Sequence, residues 1–313
     1  MAIVVSSLPN YTKPNEQMLI TKSFFEAKTA KRMQLLTGVK SSIQVPALAD
    51  ALFYQDGTTC GFTASGDTTI SAAVLTTGRI KINKEWCVKA LETKYTQLLL
   101  APGTSYEALP GGIDQAFTET IIGSIGEANE IAIWQGDTAS GNGNLNKFDG
   151  LIKIINAASG TVQANATPYI AAAVTSVTPA NVISVVQAIY SAIPVQILDK
   201  ADTKVSIGTD LFRLYQTALI NANMFHFIPT ENALGEMKIA GTNITMVSTP
   251  GLIGKNAIYA LREANMFLGV DMESDEDTFK TWYSEDFDVV RFKCEFRYGV
   301  QISQPTEVVK FTW

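Results

Sequence analysis

Three features of the sequence predict a mixed protein of the α/β (α+β) class. Apolar residues recur at intervals of three and four from Gly112 to Gln135, which is the pattern of one long helix with a buried face. Apolar and polar residues alternate from 290 to 302, as in a long strand with one buried face. Short helical and strand-like stretches lie between these two segments, so helices and sheets share the fold.

The long helix is predicted from a single apolar stripe. At 1.5 Å per residue, a helix of this length is about 35 Å long and can support a whole domain. The stripe consists of Ile113, Phe117, Ile121, Ile125, Ala128 and Ala132.

The segment after the long helix reads as a compact region of alternating helices and strands. Thr178 is the expected N-cap of a helix that begins at Pro179 and ends before Pro194, and Thr209 is the expected N-cap of the next helix. Short strands are expected at 204–207, 244–248, 258–261 and 307–313.

The first third of the chain contains segments that lack an apolar core of their own. An amphipathic helix is expected to begin after Asn15 and to end at Gly38. Residues 62–73 are rich in Thr, Ser and Gly and predict a hairpin whose turn is Ser65-Gly66-Asp67. A two-stranded hairpin is marginal in water, so we expect the arm and the hairpin to pack on other subunits.

The composition excludes several classes of function. A net charge of -6, with Lys and Arg scattered along the chain, disfavours direct nucleic-acid recognition. Only 17% of residues are charged and 46% are hydrophobic, which fits either a large core or a surface covered by neighbouring subunits. There is no signal peptide pattern and no apolar run of about 20 residues, so we expect a soluble protein.

No set of residues predicts catalysis, a cofactor or a metal site. The single histidine, His226, lies among aromatic residues, and Cys60, Cys87 and Cys294 form no CxxC pair, so buried thiols are expected. The acidic run 271–277 lacks the order of a calcium loop and reads as a solvated turn. Gly123 and Gly126 lie inside the helix, and loop 141–144 has no lysine, so neither is a phosphate loop; the helical glycines are expected to permit close packing.

Several short motifs in this order resemble the major capsid proteins of tailed bacteriophages, which have the Hong Kong 97-type fold. The long helix ends in Trp134-Gln135-Gly136, and Phe148-Asp149-Gly150-Leu151 follows after a loop. Later, Pro250-Gly251-Leu252 precedes Asn265 to Asp271 with Gly269 between them, and Tyr298-Gly299-Val300-Gln301-Ile302 matches the closing strand. The resemblance covers about 45–313.

The resemblance implies a Hong Kong 97-like capsid fold and a division into four parts. These are an N-terminal arm (1–44), an extended E-loop (45–84), a P-domain with a long spine helix (85–155 and 265–313) and an A-domain (156–264). It also implies a structural protein of the virion, not an enzyme, made in the bacterial cytoplasm. Such a protein self-assembles through hexamers and pentamers into an icosahedral shell that encloses double-stranded DNA.

Contacts with other proteins are expected from the same resemblance. Phe24 and Phe25 in the arm, and Ser65, Gly66 and Asp67 in the hairpin, are the expected assembly contacts, since aromatic residues dominate interface energetics. The sequence lacks the long helical N-terminal scaffold of some relatives, so a separate scaffolding protein is expected, besides portal and decoration proteins. Some relatives form an isopeptide cross-link from an E-loop lysine; Lys81 or Lys84 could supply that lysine here, but no motif identifies its acceptor.

Three other interpretations stay open at this stage. An encapsulin-type nanocompartment shell has the same fold, and its genomic neighbours would encode an enzyme cargo instead of portal and terminase. A tail-tube subunit is disfavoured by the long helix, because tail tubes are mostly β. A soluble α/β enzyme is disfavoured by the missing catalytic residues.

Overall fold

The structure is a computed structural model, and it describes residues 27–50, 68–87, 112–224, 235–271, 279–284, 286–287 and 289–313. Both helices and strands form within these ranges, so the predicted α+β class is confirmed. The helices are α1 (Gly112–Gln135), α2 (Leu151–Ala157), α3 (Val182–Ala192), α4 (Val195–Leu198) and α5 (Thr209–Asn221). The strands are β1 (Gln34–Thr37), β2 (Ser42–Asp50), β3 (Thr68–Thr76), β4 (Gly78–Cys87), β5 (Val162–Gln163), β6 (Thr203–Gly208), β7 (Glu236–Lys238), β8 (Thr245–Thr249), β9 (Ala257–Arg262), β10 (Met266–Asp271), β11 (Phe279–Ser284), β12 (Val289–Ile302) and β13 (Val309–Thr312).

The first sheet is built around β12, the long strand that the alternating pattern predicts. On one edge β12 pairs with β10 and β11, and β1 lies parallel beyond β10; on the other edge β12 pairs with β4. From Phe292 to Ile302 the apolar residues of β12 face inward and are buried, while the charged residues between them face outward. Together with α1 and α2, the inward residues form the first hydrophobic core.

The second sheet has six strands in the order β5-β13-β9-β6-β8-β7. Helices α3 and α5 cover one of its faces with a second hydrophobic core. Strand β9 contributes to both cores because its residues alternate between two faces: Ile258 belongs to the second core and Tyr259 to the first. The Tyr259 ring stacks on Trp134 of α1 with centroids 5.7 Å apart, so β9 of the second sheet also packs against α1 in the first core.

Helix α1 has the predicted bounds, but its buried face differs from the predicted stripe. Ile121, Ile125 and Ala132 are buried as expected, whereas Ala128 is exposed, and the side chains at 113 and 117 lie outside the described part. The buried surface turns instead toward Asn129 and Glu130. The prediction for Ala128 was wrong because Asn129 and Glu130 occupy part of the buried face, where Glu130 accepts hydrogen bonds from Thr29.

The prediction of a helix that ends at Gly38 is wrong for the described residues 27–38. Residues Ala30–Arg32 form one turn of 3-10 helix, and Gln34–Thr37 form β1, which pairs in parallel with β10. Pairing with an existing sheet edge satisfies the backbone groups of this short segment better than a few isolated helical turns would. Gly38 does end the element, with φ of +75°.

Two predicted helix starts are displaced. Thr178 lies in a turn, and α3 begins at Val182 after Asn181, whose side-chain oxygen accepts a hydrogen bond from the Thr178 N–H (2.7 Å). Thr209 is the first residue of α5 and not its cap, which is Gly208. A Cβ added at Gly123 would meet no atom within 4 Å, so this glycine does not permit close packing as expected.

Candidate assembly surfaces

Strands β2 and β3 form a separate two-stranded sheet, here called the hairpin; the strand predicted before the turn at 65–67 lies outside the described residues. The two strands are antiparallel, from the pair Ser42–Thr76 at its base to the pair Asp50–Thr68. Residues 41–49 and 68–78 contain no charged residue. Uncharged strand edges that face water promote association, and soluble monomers usually protect them with charges.

One face of this hairpin is attached to the first sheet. Val45 and Leu75 are buried in a small cluster with Val39, and Leu36 and Phe267 pack against it. The base is fixed by the Gln301 side chain, whose amide donates to the Val74 carbonyl (2.7 Å). The hairpin therefore leaves the sheet at a fixed place.

The opposite face of the hairpin is open in the single subunit. Cross-strand partners lie on the same face of a sheet, so Gln44 and Val74 share this face with Pro46 and Ala72. All four residues are exposed, and Val74 keeps 50% of its surface accessible. An exposed apolar surface without charge has the composition of an interface centre.

The N-terminal segment is fastened to α1 by a buried carboxylate. Glu130 is 3% exposed, and it accepts hydrogen bonds from the Thr29 N–H (2.8 Å) and the Thr29 hydroxyl (2.6 Å). The Trp134 indole N–H in turn donates to the Thr29 hydroxyl (2.9 Å). Burial, with a further contribution from the Glu130 charge, raises the pKa of Tyr298 well above its usual value.

The same segment is fastened to the second sheet by an ion pair. The Arg32 guanidinium donates to Glu263 (2.7 Å), and the Lys204 ammonium lies 3.0 Å from the same carboxylate. Arg32 also donates to the Ser206 hydroxyl (3.3 Å). Residues 29–32 are therefore held by both α1 and the second sheet.

The motif after α1 owes its glycines to close backbone contact. The Gly150 N–H donates to the Gly136 carbonyl (2.8 Å), which brings the two ends of loop 137–149 together. A Cβ at Gly136 would lie 2.6 Å from the Phe148 carbonyl oxygen, and a Cβ at Gly150 would lie 2.7 Å from the Trp134 carbonyl oxygen. Only glycine fits at either position.

Charged side chains then hold this loop. Lys153 donates to Asp137 (2.7 Å) and Asp149 (2.8 Å), and Asp149 also accepts from the Thr138 N–H (2.8 Å). The hydrogen bond from Lys153 lowers the pKa of Asp137, and its bond to Asp137 raises the pKa of Lys153. Both charged forms are stabilised, which strengthens the ion pairs that hold the loop.

The later motif residues also have structural roles. A Cβ at Gly251 would lie 2.5 Å from the Trp134 ring, and the Gln135 amide donates to the Gly251 carbonyl (2.7 Å). The Asn265 side-chain oxygen accepts from the N–H groups of Ser303 (3.0 Å) and Gln304 (2.7 Å). These contacts explain the glycine of the P-G-L turn and the asparagine that begins the N-x-x-x-G-x-D strand.

The predicted contact residues Phe24, Phe25, Ser65, Gly66 and Asp67 lie outside the described residues. His226 and Cys60 also lie outside them. Asp271, expected in a solvated turn, is buried at the end of β10, and the rest of the acidic run is not described. Cys294 is a buried thiol on the inner face of β12, as expected.

The described residues hold neither a metal-binding cluster nor a membrane-spanning helix. They contain no group of three or more His, Cys, Asp or Glu side chains placed to hold a metal ion. No helix within the same ranges is long and apolar enough to cross a membrane.

Sequence reasoning did not identify Thr29 and Glu130 as important residues. The sequence does contain one indication that Glu130 is unusual, because Asn129 and Glu130 interrupt the otherwise apolar sequence from Ala128 to Trp134. The partner of this acid is 101 residues away in the chain, so no local pattern could indicate it.

Comparison with solved structures identifies the fold. The chain is similar to one in the procapsid of satellite phage P4, with 13% identity, a TM-score of 0.61 and coverage of 95% of this chain and 90% of that one. It is also similar to a chain of Gordonia phage Cozz, with 10% identity, a TM-score of 0.57 and coverage of 91% of this chain and 86% of that one. For the capsid of an empty GTA particle, the identity is 13%, the TM-score is 0.54, and the coverage is 92% of this chain and 90% of that one. No protein-family model and no curated protein sequence matches the chain. The predicted Hong Kong 97-like capsid fold is therefore confirmed.

Proposed function

We propose that this chain is the major capsid protein of a tailed bacteriophage, which assembles with copies of itself into a closed icosahedral shell around double-stranded DNA. The observation that carries the proposal is the fold, which is similar over nearly the whole chain to subunits of phage and GTA capsids. The uncharged open face of the hairpin supports it, because no residue in the described part of the chain covers this surface.

The proposal includes the four-part division of the chain. These parts are an arm at 1–44, an E-loop at 45–84, a P-domain at 85–155 with 265–313 and an A-domain at 156–264. The two hydrophobic cores follow this division only in part, because Tyr259 and Leu261 of the A-domain range belong to the first core, and Val309 and Phe311 of the P-domain range belong to the second. Phe24, Phe25 and the turn at 65–67 remain the proposed contacts. Scaffolding, portal and decoration proteins are the proposed accessory partners, and Lys81 and Lys84 remain candidates for a cross-link.

The proposed role is structural and requires no catalysis. The shell encloses DNA without recognising its sequence, which suits a subunit with a net charge of -6. Shell stability then comes from many contacts, each burying on the order of 1,000 Å² or more. The finished protein belongs to the virion, and it is made in the cytoplasm of the bacterial host.

Electron microscopy of the purified protein, with and without the products of neighbouring genes, tests this proposal. Closed icosahedral particles are expected. Open tubes would favour a tail protein, and monomers under all conditions would contradict a shell function. Particles that enclose an enzyme instead of DNA would identify a nanocompartment shell.

The open face of the hairpin gives a sharper test. We expect Val74→Asp to raise the concentration needed for assembly by at least about tenfold, because a buried, unpaired charge costs several kcal/mol at each contact. Val74 is half exposed in the subunit, so the substitution should lower the free energy of unfolding of the subunit by less than about 1 kcal/mol. Light scattering against concentration and urea denaturation measure the two effects.

Thr217→Asp is the matched control for this experiment. Thr217 is an exposed residue of α5, and the substitution adds the same charge far from the hairpin in the chain. Normal assembly of Val74→Asp, or an equal defect in Thr217→Asp, would contradict a specific role of the hairpin face.

A further inference from the structure

The loop between α1 and α2 contains the single Asn-Gly pair of the sequence, Asn142-Gly143. Both residues are exposed. Because Gly143 has no side chain, its backbone nitrogen can approach the side-chain carbonyl carbon of Asn142 without steric hindrance. A bond between these two atoms would close a five-membered ring, so the pair brings a nucleophile and an electrophile together within the chain.

The backbone nitrogen of Gly143 is also free to react. Within the described residues, the Gly143 N–H donates no hydrogen bond. A Cβ placed on Gly143 would meet no atom within 4 Å, so the space around this peptide group is open to water. An N–H that faces water loses its proton to hydroxide more readily than one that is held in a hydrogen bond.

The loop holds the Asn142 side chain over this nitrogen. The Asn144 N–H donates to the Asn142 Oδ1 (3.0 Å), and a side chain bonded in this way to the backbone two residues on folds across the peptide between them. The Leu145 N–H donates to the Asn142 carbonyl (3.0 Å), which closes the backbone into a turn. The bond to Oδ1 also polarises the side-chain carbonyl and stabilises the negative charge that Oδ1 acquires during attack.

The Asp149-Gly150 pair at the end of the same loop lacks these features. Gly150 is buried, and its N–H donates to the Gly136 carbonyl (2.8 Å). The Asp149 carboxylate is held by Lys153 (2.8 Å). The fold therefore protects one of the two glycine pairs of this loop and leaves the other open.

The other asparagines of the loop are also less suited to this reaction. The nitrogen that follows Asn144 belongs to Leu145, and its N–H is occupied by the Asn142 carbonyl. Asn146 is only partly exposed, and the side chain of Lys147 hinders approach of the next nitrogen. Exposure, a free N–H and a following glycine thus coincide at Asn142 and at no other asparagine of this loop.

We propose that Asn142 is a site of spontaneous deamidation in the folded protein. The deprotonated Gly143 nitrogen attacks the Asn142 Cγ, a C–N bond forms, and the Cγ–Nδ2 bond breaks. The proton lost by Gly143 returns through water to the departing nitrogen, which leaves as ammonia, and the chain keeps a succinimide ring. Water then adds to one ring carbonyl: cleavage of the bond between Cγ and the Gly143 nitrogen gives aspartate, and cleavage at the main-chain carbonyl carbon gives isoaspartate.

The products change the loop without opening the fold. Either product adds one negative charge to a chain whose net charge is -6, and isoaspartate also lengthens the backbone by one carbon. The longer backbone disrupts the turn between Asn142 and Leu145, whereas the bond between Gly150 and Gly136 still closes the ends of the loop. We therefore expect faster proteolysis within the loop and a thermal midpoint within a few degrees of the unmodified protein.

Ageing of the purified protein at mildly alkaline pH, below its thermal midpoint, tests the inference. Peptide mapping by mass spectrometry locates aspartate and isoaspartate, and isoelectric focusing follows the added charge. We expect conversion at Asn142 to be at least about tenfold faster than at Asn144 or Asn146, and to accelerate as pH rises, because the deprotonated nitrogen is the nucleophile.

Two alanine variants on either side of Asn142 give a matched comparison. Gly143→Ala should slow the conversion at least about tenfold, because the added methyl group hinders attack by its own nitrogen. Gly141→Ala leaves that nitrogen unchanged, so the rate should stay within about twofold of the wild type. A Cβ at either position would meet no atom within 4 Å, so both variants should fold normally.

The outcomes are independent of the proposed shell function, because the reaction needs only the folded subunit. Absence of product at Asn142, or equal rates in Gly143→Ala and Gly141→Ala, would show that the assignment is wrong. Isoaspartate that accumulates at Asp149 as fast as at Asn142 would place the reaction in the unfolded chain, and this result would also overturn the inference.

Discussion

Alanine at Gly136 or Gly150 is expected to lower the free energy of unfolding by about 3 kcal/mol or more, enough to prevent folding of a marginally stable subunit. The added Cβ would lie 2.6 Å from the Phe148 carbonyl oxygen in the first case and 2.6 Å from the Gly136 nitrogen in the second. Both neighbours are backbone atoms, so they cannot move without breaking the hydrogen bond that closes the loop. Urea denaturation, or the yield of soluble protein, measures the loss.

Gly143→Ala in the same loop is the control for this pair. A Cβ there would meet nothing within 4 Å, and the residue has no positive φ. We expect a change within about 0.5 kcal/mol, or a slight gain from the lower entropy of the unfolded chain. If all three alanine variants behaved alike, the close backbone contact would not be the reason for the two glycines in the motif.

The second large effect is expected for Glu130→Ala, which should cost about 3 kcal/mol of unfolding free energy. The substitution removes the acceptor of both Thr29 bonds and leaves the buried N–H and hydroxyl without this partner. Glu130→Gln should lose less, because the amide oxygen still accepts one bond. Thermal or urea unfolding of the isolated subunit gives both values.

Glu127→Ala is the matched control on the same helix. Glu127 is exposed one turn before Glu130, so its removal should change the free energy of unfolding by less than about 0.5 kcal/mol. An equal loss in the two variants would mean that the charge of α1, and not the buried bonds to Thr29, stabilises the subunit. A negligible loss of unfolding free energy for Glu130→Ala would mean that the bonds between Thr29 and Glu130 do not stabilise the subunit.

Local patterns in the sequence predicted the elements that carry a strong period. The bounds of α1 agree with the apolar repeat, and the alternation along β12 places its apolar residues inward. The capping residues of α3 and α5 were less well predicted, since several nearby residues can begin a helix. The helix predicted before Gly38 was wrong, because pairing of residues 34–37 with β10 determines the conformation of this segment.

The resemblance to capsid proteins rested on small residues and turns whose reasons the structure supplies. Gly136, Gly150 and Gly251 occupy places where the backbone or a tryptophan ring leaves no room for a Cβ. Asn265 holds two backbone N–H groups across a turn. Such positions persist in a fold because few residue types can replace them, so short motifs predicted the fold correctly where overall identity is only 10–13%.

By itself the sequence determined the fold class, the long helix, the long strand and the lack of a self-sufficient core around the hairpin. Each of these follows from the period or the composition of neighbouring residues. Only the tertiary structure decided that Glu130 binds Thr29 and that Arg79 lies beside Arg297. Those partners are 101 and 218 positions apart, and strand register and helix packing, which no local pattern encodes, determine which distant side chains meet.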